Sequence, residues 1–504
     1  MPIERSWTEW RGAATDLRHL LWFRARTVRR PRAAATALVV LLGLTAAAAV
    51  VPALTGRHES TLDRLDDLLP AYLLAVLALS TATAVASGGG REVLARDAAA
   101  GHPIDPFTDH LGALVLAPLS AAWLLQSWFL LGAAAYEAGP HPVRLLTADA
   151  VALAWIGCAT AAGQLVGWLA EWLRRSPRGV AAVRVAGAIA LITAGASGVL
   201  PDLRGLLLDG PAGRTADVLT GHAATGPAPA LLLAACVLLV VAGGHAARLT
   251  ARRVPRDETR LASRSYASRS PARSDLAALV RTDRASVWRS VPLRRGTYFL
   301  ALAPGLVALT HPLSWSSLAV LPGLVVSGCA LLFGVNAWAI DGQGLLWRET
   351  LPVPPGLALL ARAKVLAELL LGAGLVTVVL GGLRAGPPSG AEATAVAVAL
   401  LVVTGQALSG SLRWSLRSPY AVDLRSARAT PAPPLAMVGY SSRLALVTTV
   451  TTMLLGALAI QGRADLVLAV GGVLVAWSAL RLAGVWRSWR DPVARARVVT
   501  VVAA

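Results

Sequence analysis

Twelve stretches of this sequence are long, apolar and almost free of charge. About 20 such residues carry an α-helix across the hydrocarbon core of a bilayer. The stretches cover residues 33–55, 68–87, 108–135, 147–170, 180–200 and 228–247, then 296–312, 317–340, 362–383, 391–412, 440–461 and 463–483. Composition closes off the alternatives. Apolar residues make up 55% and charged residues 15%, where soluble domains average roughly 45–50% and 25%. A soluble chain of 504 residues would form roughly three domains, and so few charges cannot cover three polar surfaces. Soluble, disordered and fibrous classes are excluded. The expected fold is an all-α polytopic membrane protein with about twelve transmembrane helices.

The net charge of +19 then becomes a statement about orientation. Cytoplasmic loops concentrate Lys and Arg. With the amino terminus inside, 40 of the 47 cations fall on inside segments and 7 outside. The outside ones are Arg57, Arg64, Arg144, Arg204, Arg214, Arg384 and Arg463. Both termini are therefore expected in the cytoplasm. Nearly all the cations are arginine, with Lys364 the single lysine, and this Arg-, Ala- and Gly-rich usage suits a GC-rich bacterial genome. The expected location is the bacterial plasma membrane, as a multi-pass protein. The cations mark topology and membrane lipid contact, not a nucleic-acid partner. Residues 1–32 interleave Trp7, Trp10, Leu17, Leu20, Trp22 and Phe23 with arginines, the make-up of an amphipathic interfacial segment and not of a cleaved signal peptide.

The sequence also repeats. Gly163-Gln164, Trp172 and Arg175-Ser176-Pro177 match Gly405-Gln406, Trp414 and Arg417-Ser418-Pro419, every pair 242 positions apart. Asp16-Leu17, Leu20 and Pro31 ahead of the first run correspond to Asp275-Leu276, Leu279 and Pro292 ahead of the seventh. The chain divides into the segment 1–32, a first six-helix half at 33–247, a basic cytoplasmic linker with a second elbow helix at 248–295, and a second six-helix half at 296–504. Two halves that both start inside form parallel six-helix repeats, with a binding path expected between them.

The stretch 336–364 reads NAWAIDGQGLLWRETLPVPPGLALLARAK. An apolar run ends, Asp341-Gly342 follows, then Leu345-Leu346, Leu351-Pro352-Val353 and Pro355, and Arg362 and Lys364 open the next run. This resembles the first cytoplasmic loop of type-2 ABC exporter permeases, membrane subunits of six spans that also carry an amphipathic elbow helix before the first span. The resemblance implies that the loop docks onto a separate ABC ATPase subunit. Residues Asp341, Gly342, Arg348, Glu349, Pro352, Pro355 and Lys364 would carry that contact. In the first half the corresponding loop offers Arg96, Asp97, Pro103 and Pro106. Two such loops imply two ATPase copies per chain, and fused halves would need no second permease chain. ATP would bind the partner, because Lys364 is followed by Val365 and no phosphate loop exists here; the chain itself would hold no cofactor. The sequence departs from the family in places. Ala363 stands where Gly is usual before Lys364, and the first-half loop has no lysine. Re-entrant helices common before the last span have room only between Pro201 and Pro229.

Other chemistry is sparse. Gln126, Gln164 and Gln406 lie within spans, where polar groups face other helices or a path; they are candidates for pathway lining, with interhelical hydrogen bonding as the plainer role. No run carries a central ionisable residue of the kind expected in an ion-coupled carrier. Cys158, Cys236 and Cys329 sit apart in apolar runs, and the eight histidines show no metal-ligand spacing. Glu59, Asp63, Asp66 and Asp67 cluster on the outer side. They suit a solvated helix start, or a membrane enzyme acting on lipid-linked substrates, which is the competing function class. A non-transporting scaffold is a third. A carrier subunit, not an enzyme, is the leading expectation.

Overall fold

The structure, a computed structural model, describes residues 2–504 apart from 27–30, 56–57, 88–103, 120, 198–204, 206–209, 224–225, 254–269, 311–312 and 423–430. Among the described residues it is all-α, with no strand. Among the described residues, eight helices are long and apolar enough to cross a membrane: Thr61–Val85, Pro142–Arg174, Ala228–Ala251, Trp315–Phe333, Pro355–Ala385, Gly390–Arg417, Gly439–Ile460 and Ala464–Arg490. Leu38–Leu54 and Gly179–Ala190 are shorter apolar helices. This is the make-up of a multi-pass membrane protein. Val39, Leu42, Val143, Ile192, Leu238 and Leu383 are exposed; large apolar side chains exposed in such number would drive aggregation in water and are solvated in lipid.

Contacts divide the chain into two compact units, residues 1–190 with 200–256, and residues 191–199 with 257–504. The first unit contains α1 (Pro2–Arg26), α2 (Pro31–Leu54), α3 (Glu59–Ser87), α4 (Pro106–Leu116), α5 (Ala121–Ala138), α6 (Pro142–Arg174), the start of α7 (Gly179–Ser197), α8 (Pro211–Thr220) and α9 (Ala228–Ala251). The apolar run 108–135 is not one helix. It breaks at a 3-10 turn, Ala117–Leu119, around Pro118, because proline withholds a backbone donor and clashes with the preceding turn. The room between Pro201 and Pro229 is partly filled by α8, whose Ala212, Ala216 and Leu219 are buried.

Helix α6 packs against α3 and α9. Gly163 makes the α3 approach possible: a Cβ there would lie 2.7 Å from the Ser80 carbonyl oxygen, and one at Gly167 would lie 3.0 Å from Ala84. Its repeat counterpart Gly405 faces the Ser478 side chain, where a Cβ would lie at 3.3 Å and need only a small shift of that side chain. Gly163→Ala should therefore destabilise the detergent-solubilised protein by roughly 1–3 kcal/mol, and Gly405→Ala by clearly less. Equal thermal unfolding midpoints for the two variants would contradict the packing.

The second unit contains α10 (Asp275–Arg289), α11 (Val291–Thr310), α12 (Trp315–Leu318), α13 (Leu321–Phe333), α14 (Gly344–Glu349), α15 (Pro355–Ala385), α16 (Gly390–Arg417), α17 (Pro434–Ile460), α18 (Ala464–Arg490) and α19 (Pro492–Ala503). Helix starts follow local chemistry. Ser274 caps α10, and Ser389 with Glu392 forms a reciprocal capping box on α16. Helices α16 and α18 pack along each other, and α15 is wedged among α11, α13 and α10. The run 317–340 ends as helix at Phe333, and residues 334–343 form successive turns.

Candidate functional site

The turns after Phe333 carry the loop with the residues singled out above, and its whole course, 334–354, is described. Gly342 adopts φ 49°, a left-handed conformation that a side chain would strain. The short helix α14 follows, and Pro355 opens α15 in its first turn, where a missing N–H costs nothing.

Beneath this loop lie four buried charges. Asp283 comes from α10, Asp341 from the turn, Arg348 from α14 and Arg362 from α15. Arg348 grips Asp283 with two bonds, Nη1 to Oδ1 at 2.7 Å and Nη2 to Oδ2 at 3.3 Å. Its Nη1 also reaches Asp341 at 3.3 Å. Arg362 Nη2 donates to Asp341 and to Asp283, the latter at 3.3 Å. The Asp283 side chain is 1% exposed and that of Arg362 4%. Two anions and two cations cancel, so the group carries no net charge out of water. That cancellation is what makes burial tolerable. Arg362 Nε and Nη1 have no partner and border an apolar crevice between Phe333, Ile340 and Leu366 that is only water-sized.

Further contacts fix the loop from every side. Trp338, fully buried, stacks on Trp489 of α18 with ring centres 4.3 Å apart and planes 5° from parallel. Both arginines lie over the Trp338 ring, Arg362 at 5.2 Å and Arg348 at 5.8 Å. Trp489 Nε1 donates to the Pro355 carbonyl at 2.9 Å. Asn336 Nδ2 donates to the Tyr420 carbonyl at 2.7 Å, and the Ala337 amide donates to Ser415 Oγ at 2.8 Å. Glu349 accepts from Arg495 of α19 at 2.9 Å. Arg284 of α10 makes a two-pronged bond to Glu368 of α15 at 2.7 and 2.8 Å.

Against this fixed underside the outer edge of the loop is bare. Leu346 and Leu351 are each 48% exposed and Trp347 is 77% exposed. Pro352, Pro355 and Lys364 are exposed too. Of the residues expected at a docking surface, Arg348 is instead turned inward and Glu349 is held by Arg495. Sequence reasoning missed Asp283, Trp338 and Trp489, and it passed over Trp347.

In the first unit Arg96, Asp97 and Pro103 lie outside the described residues. Pro106 opens α4, capped by Asp105, whose side chain accepts from the Phe107 amide at 2.8 Å. Phe107 is buried against Trp10 of α1, ring centres 4.4 Å apart, and the Arg248 guanidinium lies over the Phe107 ring, 4.0 Å from its centre. His110 is enclosed as well: Trp168 Nε1 donates to its Nδ1 at 3.1 Å, so its Nε2 carries the proton given to the Val240 carbonyl at 3.0 Å. Thus in each unit an elbow helix rests on the helix that follows the loop, α1 on α4 and α10 on α15.

Gln126 and Gln164 belong to the first unit and Gln406 to the second. Gln126 is half-buried, and its backbone carbonyl accepts from Tyr72. Gln164 is buried in the first unit with Oε1 unpaired. Gln406, in the second unit, donates through Nε2 to Thr451 Oγ1 at 3.0 Å, an interhelical bond. In the outer acidic cluster, Asp63 is exposed and Asp66 lies 3.9 Å from His222. Among the described residues no group of three His, Cys, Asp or Glu side chains could hold a metal ion. Protein-family models, curated proteins and solved structures contain no match to the chain.

Proposed function

We propose that the chain is the membrane permease of an ATP-driven ABC exporter, with its twelve apolar runs spanning the bacterial plasma membrane as two six-helix halves and both termini in the cytoplasm. The observation that supports this most is the loop 334–355: a bare Leu346-Trp347-Leu351 edge set on a base made rigid by buried charges and stacked indoles. Large exposed aromatics on a fixed frame are what a partner's pocket grips, because they bury area at little entropic cost. A loop meant only to connect two spans has no need of such an underside.

In this reading the ATPase seats Trp347 and pushes or pulls on the loop as it closes on ATP. Asp283, Asp341, Arg348 and Arg362 act as a clamp that passes the displacement to α10 and α15 together. Trp338 and Trp489 pass it to α18. The first-unit loop ahead of Pro106 contacts a second ATPase copy, and the substrate path lies between the halves.

Affinity purification of the tagged full-length chain from its native membranes tests this. An ABC-type ATPase should be recovered with it, and Trp347→Ala should lower that recovery about tenfold or more, the weight of an aromatic hot spot. Thermal unfolding of the variant should be unchanged, since the side chain touches so little. Recovery of no such ATPase, or equal recovery with the variant, would sink the proposal.

A further inference from the structure

The three cysteines are free thiols, and two of them meet. Cys158 lies on α6 and Cys236 on α9, helices of the first unit that pack closely along each other. Two distances place their sulfurs at one level of that packing. Cys158 Sγ donates to the Leu232 carbonyl at 3.0 Å, and Leu232 stands one turn before Cys236, so its carbonyl points along α9 towards that residue. From the other side, Cys236 Sγ lies 3.4 Å from where a Cβ on Gly157 would stand, and Gly157 is the residue next to Cys158. Each thiol thus rests on its partner's helix beside its partner, and the two side chains are close enough to interact. Cys158 is buried and Cys236 half-buried, while Cys329 belongs to the second unit.

The surroundings decide what such a pair can hold. Helix α6 carries no charged residue between Asp149 and Glu171, α9 none before His245, and α3, which also packs on α6, none after Asp67. A net charge left among them would be uncompensated in an apolar medium, so the occupied site must be neutral. Zinc in a closed site takes four ligands, and among the described residues no group of three His, Cys, Asp or Glu side chains could hold a metal ion. A monovalent soft ion on two thiolates leaves one negative charge. A divalent soft ion that takes two ligands in line leaves none. A disulfide is neutral too, but it draws its sulfurs to about 2.05 Å, and it forms through a thiolate, which an apolar site disfavours. A linear dithiolate spans about 4.6 Å, twice a metal–thiolate bond of about 2.3 Å. Two free thiols that face each other reach that separation with less movement.

We infer that Cys158 and Cys236 form a two-coordinate site for a soft, thiophilic divalent cation of the mercury(II) class, which bridges α6 and α9 within the apolar layer. Mercuric chloride is itself neutral and enters through lipid. The half-buried Cys236 forms the first S–Hg bond as one chloride leaves with the thiol proton. Cys158 forms the second as the other chloride leaves with its proton. Two HCl are released, no oxidation state changes, and no charge is left behind. The inference rests on the packing of the first unit and not on the exporter reading. An exporter that failed to bind its ATPase would leave it intact.

The test treats purified full-length chain in detergent with mercuric chloride, then with glutathione, and reads intact mass and thermal unfolding. The wild type and Cys329→Ala should each retain one mercury in place of two protons, with no chloride. Cys158→Ala and Cys236→Ala, each combined with Cys329→Ala, leave a single thiol of the pair. They should hold mercury with an outer ligand still attached, and about a hundredfold less glutathione should strip it, since the second thiol of a chelate acts at high effective concentration. Bridging should raise the unfolding midpoint of the wild type and of Cys329→Ala by about 5 °C or more, as a cross-link between distant parts of the chain does, and should not raise that of the single-thiol variants. Zinc chloride should leave mass and midpoint unchanged. The proposal is overturned if the wild-type mercury keeps a chloride, if glutathione strips all four proteins alike, if Cys329→Ala loses the bridged ion, if the wild-type midpoint does not rise, or if zinc is retained as well.

Discussion

Asp283→Ala will cost the second unit about 3–5 kcal/mol, the loss expected when one member of a buried charge group is removed and its partners stay behind. Asp283 accepts from Arg348 through both oxygens and from Arg362 through one. Without it, two guanidinium groups share the single carboxylate of Asp341 in a site whose side chains are almost wholly closed to solvent. The excess positive charge has no route to water except by opening the loop. Hydrogen exchange of the full-length protein should therefore show lost protection over residues 334–355 before the spans themselves open. Asp283→Leu combined with Arg348→Leu removes one charge of each sign and leaves Asp341 with Arg362. That double variant should lose less stability than Asp283→Ala alone, since hydrophobic replacement of a complete buried pair is close to neutral. A single variant with wild-type melting and wild-type exchange would mean that the four charges do not clamp the loop.

The same cluster explains where sequence reading succeeds and where it stops. Apolar runs report burial in lipid or protein directly, so most of their described residues fall on helices, and the two elbow segments fall on α1 and α10. Hydropathy does not report a break within a continuous apolar run, which is why residues 108–135 read as one span although Pro118 divides them. Charges are harder. Arg348 and Glu349 read as surface residues because charged side chains in a loop usually are. Their partners lie 65 positions away at Asp283 and 146 away at Arg495, and no local pattern reports such distances. One signal was available: Arg362 stands about two turns inside an apolar helix, and a cation there needs an acid from elsewhere in the chain. The repeat, in contrast, locates Gln164 and Gln406 at equivalent positions but not in equivalent surroundings, since Gly163 abuts α3 while Gly405 faces α18.

Trp489→Ala will be the second most damaging single change, at roughly 3–5 kcal/mol for a fully buried indole truncated to a methyl group. Three interactions end with it. The stacked face of Trp338 is left against a cavity, and stacking contributes beyond area burial. The Pro355 carbonyl loses the donor that ties the last turn of α18 to the first turn of α15. The Trp338 ring, which also faces Arg348 and Arg362, becomes free to tilt, so the damage should spread to the charge cluster. Trp489→Phe separates these terms. It keeps an aromatic face for Trp338 and forfeits the hydrogen bond, so its cost should fall near 1 kcal/mol plus a partial cavity. If the loop passes motion to α18 as proposed, the two variants should also differ in function at temperatures where both are folded. Trp489→Phe should retain most ATPase stimulation by the permease, and Trp489→Ala should lose most of it while the ATPase remains bound through Trp347. Identical melting of the alanine and phenylalanine variants would show that the indole pair does not hold the loop to α18, and identical stimulation would show that it does not carry the coupling.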